Sequence, residues 1–215
     1  MEFPKDRVFH SLICIFAFII YYFSPFIILF IPNVKDFLKS NYAITLVTFL
    51  IYLPFSFIIW FAYQKNIKLM PLGSVHWRKL IAPLLALIAL IFINGFLGTE
   101  EKEWIELTNN ITGFAFFLFV LSIIFIAPIT EEIIFRGFLL NAGMWYGNIG
   151  KWIAIITSSL LFSAIHTQYH SLSTFTLIFI MGIIFCQVRI STRSLIAPIV
   201  LHSLYNTLVM TFSII

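Results

Sequence analysis

Five runs of about 20 apolar residues, at about 8–31, 42–64, 80–97, 111–130 and 172–188, constrain this chain more than any other feature. The hydrocarbon core of a bilayer is about 30 Å thick, a distance an α-helix crosses in about 20 residues. In that solvent every backbone N–H and C=O must find a partner inside the protein, so runs of this length fold as helices. Two weaker runs, 152–166 and 194–213, bring the expected crossings to about seven, within a range of about six to eight. With 61% hydrophobic and only 10% charged residues among 215, one soluble core could not take up the apolar side chains. The expected fold is all-α, a polytopic integral membrane helical bundle. The first run follows Lys5-Asp6-Arg7 but is too long for a signal-peptide core and lacks a small-residue cleavage site, so it reads as a retained helix.

The formal net charge of +4 is explained by where the charges stand. Lys5, Arg7, Lys65, Lys68, Arg78, Lys79, Lys151, Arg189 and Arg193 fall in alternate connections, while Lys35, Lys39 and Lys102 fall in the others. Basic residues favour the cytoplasmic side. The expected topology in the cell membrane is therefore N-inside and C-outside, with the acidic segment from Thr99 to Glu106 outside. The bilayer is the expected partner, and nothing in the pattern points to nucleic acid. Cys14 and Cys186 both lie in apolar runs and form neither a disulfide framework nor a zinc-ribbon pattern.

Without an internal repeat or a soluble domain, the chain reads as one membrane domain. Residues 1–110 hold about three helices and little polar content beyond Asn94. Residues 111–215 hold Glu131, Glu132, Arg136, His166, His170, His202 and Asn206. The longest polar connection is the basic stretch from about Gln64 to Lys79. Pro25, Pro54, Pro83, Pro128 and Pro198 fall inside or at the ends of apolar runs, where a missing N–H frees a carbonyl. At Pro128 a new helical segment is expected to begin, with Thr130 as its N-cap and the two glutamates in its first turn.

A charged side chain at the centre of a bilayer costs about 2.5–3.5 kcal/mol on insertion scales, so the carboxylate pair needs a reason. In Glu131-Glu132-x-x-x-Arg136 the second glutamate and the arginine are four apart and share a helix face, where they can pair. Glu131 points about 100° away and stays free. Phe162-x-x-x-His166, with His170 a turn later, and His202-x-x-x-Asn206 each place two side chains on one face of further helices. Taken singly, each pattern is satisfied by a structural ion pair, an interfacial histidine or a hydrogen bond joining helices. Together they supply a carboxylate base, two imidazoles and an amide on separate helices, a set suited to activating water and stabilising an oxyanion. No Gly-x-Ser-x-Gly, paired-aspartate, His-Glu-x-x-His or Cys-His pattern competes with it.

These three motifs, in this order, resemble the CAAX protease and bacteriocin-processing family, also called the Abi family. Arg136-Gly-Phe extends the first motif, and Ser194-Leu195, Pro198-Ile199 and His202 follow the approach to the third. The resemblance covers about residues 112–210 and implies a glutamate-dependent intramembrane endopeptidase like the type II CAAX prenyl endopeptidases. It implies that Glu131 activates water with help from His166, that His202 and Asn206 stabilise the oxyanion, and that Glu132, Arg136 and Phe162 support them. It implies no cofactor; zinc on Glu131, His166 and His202 is the minor alternative, which dispersed spacing does not select. The implied substrate is a membrane-associated peptide or protein, met in bacteriocin or signal-peptide processing or in self-immunity. A non-catalytic scaffold or bacteriocin immunity protein is the alternative from another class. A proton-coupled transporter would use the same residue types, but no repeat relates the two halves.

Straight helices at 1.5 Å per residue set Glu131 near the inner surface and His166 near the outer one. Either a break at Pro128 or a stretch from Asn141 to Gly150 lying below the surface is needed to bring them together.

Overall fold

The computed structural model describes residues 6–97 and 101–214; Lys5, Thr99 and Glu100, named above for their charge or position, lie outside the described residues. It is predominantly helical, with no strand among the described residues. Among the described residues five helices are long and apolar enough to cross a membrane: α1 (Arg7–Phe30), α2 (Ala43–Asn66), α3 (Trp77–Leu97), α5 (Gly113–Gly143) and α7 (Leu172–Thr192). Between α3 and α5 lies the short α4 (Lys102–Asn109). Two apolar helices, α6 (Gly147–Ala164) and α8 (Ile196–Ile214), complete the bundle at the positions of the two weaker runs.

Much of the apolar surface faces outward. Phe9, Phe16, Ile27, Phe30, Phe57, Phe61, Phe92 and Phe96 are exposed, which no water-soluble fold tolerates in such number. Lipid is the solvent that makes this surface neutral. The interior is built instead around residues 133–140 of α5, which are buried without a gap and packed against α1, α6 and α7.

The expected break at Pro128 does not occur. Helix α5 continues through it to Gly143, and Thr130 is no N-cap: its hydroxyl donates to the Ala127 carbonyl 3.0 Å away, within the helix. The helix widens into π turns at Ser122–Ile126 and Ile133–Leu139. A π turn before a proline keeps the ring from clashing with the preceding carbonyl, and α2 does the same at Thr48–Tyr52 ahead of Pro54. At Pro25 the chain tightens instead, into 3₁₀ turns over Ser24–Phe30.

The stretch from Asn141 to Gly150, offered as the alternative to a break, is a tight turn whose residues 146–149 are exposed. Asn141 and Trp145 are buried, and Gly143 meets Gly150 so closely that a Cβ on Gly143 would lie 2.7 Å from the Gly150 carbonyl. This hairpin turns α5 into α6 with almost no loop. About 18 Å of helix separates Glu131 from Gly143, so the glutamates sit at mid-depth in the bundle.

The basic connection 67–76 also differs from a solvated loop. Its irregular backbone enters the bundle at Met70, while Lys68, Leu72, Gly73, Ser74 and His76 stay exposed, and protein side chains satisfy the part that is buried. Trp60 donates to the Met70 carbonyl at 3.1 Å, the Met70 N–H donates to Gln64 at 3.0 Å, and Asn141 donates to the Leu69 carbonyl at 3.3 Å. Met70 is fully buried against Gly137, where an added Cβ would lie 2.5 Å from its sulfur. The Leu72 carbonyl then accepts from both Ile196 N–H and Ser194 Oγ at 2.9 Å, fixing the start of α8. Gly73, at φ +71°, permits the approach: a Cβ there would lie 2.6 Å from Ser194 Cβ.

Arg7 donates to the Trp145 carbonyl and Lys79 to the Ser191 carbonyl, so the helix ends carrying most of the basic residues share one end of the bundle. Asn41, Glu101, Asn110 and His170 share the other.

Candidate active site

Glu131 and Glu132 are adjacent in sequence and opposite in circumstance. The Glu132 side chain is 0% exposed, whereas Glu131 keeps 17% of its side-chain surface accessible. Arg136, one turn along, places Nη1 2.9 Å from Glu132 Oε1, as their spacing foretold. The guanidinium is fully buried and lies 4.1 Å from the Phe162 ring centre and 5.1 Å from that of Phe185, with its other Nη reaching the Gly182 carbonyl at 3.4 Å. Planar cation, aromatic faces and carboxylate together offset the desolvation of both charges.

His202 Nδ1 lies 3.0 Å from the same Glu132 oxygen, a contact between helices that no local spacing announces. Glu132 is therefore the shared acceptor of Arg136 and His202. A carboxylate on Nδ1 assigns the proton to that nitrogen and turns Nε2 the other way. Nε2 points to Glu131, 3.9 Å from Oε2, beyond a direct hydrogen bond. The free carboxylate thus faces the free edge of an imidazole whose other edge is fixed.

His166 follows the C-terminus of α6, half-buried, with Nδ1 2.6 Å from the Phe162 carbonyl. That carbonyl is an acceptor only, so here too Nδ1 carries the proton and Nε2 is left open. Phe162 joins the two histidines: its ring centre is 4.8 Å from that of His166 and 5.9 Å from that of His202. His166 lies within electrostatic reach of His202 and Arg136 and stacks its ring parallel to Tyr169. His170, by contrast, is exposed at the far end, where its backbone N–H bonds Glu101.

Asn206 has a partner of its own. Its amide donates to the Ile123 carbonyl at 2.9 Å. In the π turn the Ala127 N–H serves Ser122, so the donor due to Ile123 would be residue 128, a proline without an N–H. Asn206 supplies the missing donor, tying α8 to α5 just above the glutamates. Its second amide hydrogen stays available.

The first two helices contribute more to this site than their sparse polarity promised. Tyr21 and Tyr52, with ring centres 4.6 Å apart, both lie within electrostatic reach of Glu131, and Tyr21 donates to Thr130 at 3.4 Å. Tyrosine scattered through an apolar helix gives no motif, though buried phenols seek polar partners and so mark where one is to be found. As for the zinc alternative on Glu131, His166 and His202, no group of three or more His, Cys, Asp or Glu side chains among the described residues is gathered closely enough to hold a metal.

Residues 113–208 match the family described as Rce1-like, type II CAAX prenyl endopeptidase Rce1-like. The chain is 37% identical over 95 residues to an uncharacterized 24.3 kDa protein of Escherichia coli, covering 44% of each chain. It is 34% identical over 102 residues to the membrane-embedded CAAX protease MroQ of Staphylococcus aureus, covering 46% of this chain and 39% of that protein. The matches thus span less than half the length of these relatives, and no solved structure matches. The matched segment contains Glu131, Glu132, Arg136, Phe162, His166, His202 and Asn206. Residues 113–208 of this chain are thus similar to the type II CAAX prenyl endopeptidase Rce1-like family and to a membrane-embedded CAAX protease.

Proposed function

We propose that the protein is a membrane-embedded endopeptidase in which Glu131 activates a water to cleave a membrane-associated peptide or protein. The observation that carries this reading is the division of labour between adjacent carboxylates. Glu132 is buried and engaged through one oxygen by both Arg136 and His202, and Glu131 is left accessible opposite an open imidazole nitrogen. A structural ion pair needs only the first of these glutamates.

In the proposed reaction Glu131 accepts a proton from the water as the oxygen attacks the scissile carbonyl, and later delivers it to the departing amine. His166, with Nε2 open, helps hold the water. His202 stabilises the tetrahedral oxyanion through Nε2, which donates when both ring nitrogens carry a hydrogen. The spare Asn206 hydrogen is the second oxyanion donor. No cofactor is required by this scheme.

The family description and the printed name of the staphylococcal relative support the protease reading. We assign the substrate to bacterial peptide processing or self-immunity, with the chain in the plasma membrane and its N-terminus inside. The test is cleavage of candidate membrane peptides by purified protein in lipid, read by mass spectrometry. Wild type should yield two fragments and Glu131→Ala none. Equal cleavage by both would sink the mechanism. Full protection of a bacteriocin-sensitive host by both Glu131→Ala and His202→Ala would favour a non-catalytic immunity protein that acts by binding.

A further inference from the structure

The bundle buries a second arginine, and its circumstances are the reverse of those of Arg136. Arg189 stands one turn before the end of α7 and is 4% exposed. Among the described residues it makes no hydrogen bond, ion pair or ring contact, and its Nε is a buried donor without an acceptor. Arginines near helix ends in membranes either snorkel into water or pair with an acid. Arg189 pairs with no acid among the described residues, and its Nε is cut off from water.

No carboxylate is its electrostatic partner among the described residues. The electrostatic neighbour of Arg189 is the Tyr63 phenol of α2, itself 4% exposed. Tyr63 bonds His10 Nε2 of α1, and Asn141 and Cys14 lie beside its hydroxyl. His10 is 3% exposed, and its Nδ1 has no partner. The corner lies at the basic end of the bundle, where Arg7 donates to the Trp145 carbonyl and the Trp145 ring packs edge-on against His10. The acid nearest along α1, Asp6, is exposed and accepts from the Phe9 N–H.

A buried guanidinium without a counter-charge is among the costliest arrangements a protein can hold, and an oxyanion is what a fork of N–H donors fits best. We propose that Arg189, Tyr63 and His10 form a binding site for a phosphate oxyanion, presented by the headgroup of an anionic phospholipid at the basic end of the bundle. The location favours that source. The corner is where α1 begins and α2 and α7 end, at the membrane–water boundary, and anionic headgroups gather beside basic residues there. This site is separate from the glutamates and does not depend on the protease reading.

The probes are phosphatidylglycerol, phosphatidylcholine and inorganic phosphate, each added to delipidated protein in neutral detergent and followed by native mass spectrometry and thermal unfolding. Phosphatidylglycerol should bind saturably at one per chain and raise the unfolding temperature, phosphatidylcholine at least ten-fold more weakly. Arg189→Gln should lose at least ten-fold in phosphatidylglycerol affinity, and Lys35→Gln, toward the other end, should lose none. Tyr63→Phe removes a single hydroxyl and should weaken binding several-fold, which keeps the test open if the arginine variant does not fold. Binding of inorganic phosphate alone, lost in the same variants, would uphold the oxyanion site and overturn its lipid source. No saturable binding of any probe to wild type, or equal binding by both variants, would overturn the proposal.

Discussion

At the scale of single residues, the account turns on charge that is or is not satisfied. Glu132, Arg136 and His202 are locked together, so removing one leaves the others buried and uncompensated. Arg136→Met is expected to destabilise by about 3–5 kcal/mol, the usual cost of breaking a buried pair. Adding Glu132→Gln should recover at least half of that loss. Unfolding in mixed detergents checks both, and a loss below about 1 kcal/mol for the single variant would contradict the arrangement. The Glu132–Arg136 contact was legible in the sequence because helix geometry brings positions four apart together. The bond from His202 to the same oxygen was not, since residues 70 apart meet only through packing. Asn206 shows a subtler limit. Its pairing with Ile123 follows from a π turn ahead of Pro128, and a proline in a sequence tells that a carbonyl is freed without telling which side chain will reach it.

At the scale of elements, α5 is the axis of the site and α4 is its strap. A new helical segment was expected to begin after Pro128, because a proline frees a carbonyl and Thr130 could cap the glutamates' first turn. Helix α5 runs on to Gly143 because Glu132 and Arg136 are neutralised inside the protein rather than by water. Glu101, ahead of α4, accepts from the backbone N–H groups of His170 at 2.9 Å and Ser171 at 3.1 Å, capping the start of α7. Trp104 of α4 meets Tyr169 edge-on at 5.9 Å, and Tyr169 stacks on His166. Burial pushes the Glu101 carboxyl up, but Thr174, those two amides and the nearby His170 outweigh it and hold it below the usual carboxylate value of 4.5. A carboxyl lower in the fold than in the open chain adds stability that is complete above that value and is lost as the pH falls through the lower, folded one. Protection of the His170 and Ser171 amides, measured against their intrinsic exchange rates, should therefore be high at pH 6 and fall as the pH drops below the folded value. In Glu101→Gln protection should be low at both. Identical exchange in wild type and variant at pH 6 would show that the cap holds nothing.

At the scale of the whole molecule, hydropathy alone conveyed the architecture. Five spanning helices and two weaker ones stand where the apolar runs stand, and the basic connections collect at one end. What hydropathy could not convey is depth. The segment 67–76 reads as a charged loop because Lys65, Lys68, Arg78 and Lys79 bracket it, yet Met70 is buried against Gly137. That insertion anchors α8 through Leu72, which sets His202 level with Glu132. Likewise the tight Gly143–Gly150 hairpin, rather than a break at Pro128, returns the chain so that Phe162 can touch both histidines. Tyr21 and Tyr52 join the site from a half of the chain that seemed chemically empty, because a bundle is assembled across its whole length.

The central claim is that Glu131 does chemistry and Glu132 holds structure. The most direct test measures cleavage rate and unfolding temperature on the same preparations of Glu131→Gln and Glu132→Gln, in lipid, with a peptide that wild type cleaves. Glu131→Gln should lose at least 100-fold in rate, the size expected for a general base, with its unfolding temperature unchanged or raised. Glu132→Gln should lower the unfolding temperature along with the rate. A Glu131→Gln protein that cleaves within about ten-fold of wild type, or whose lost activity tracks a lost fold, would contradict the account.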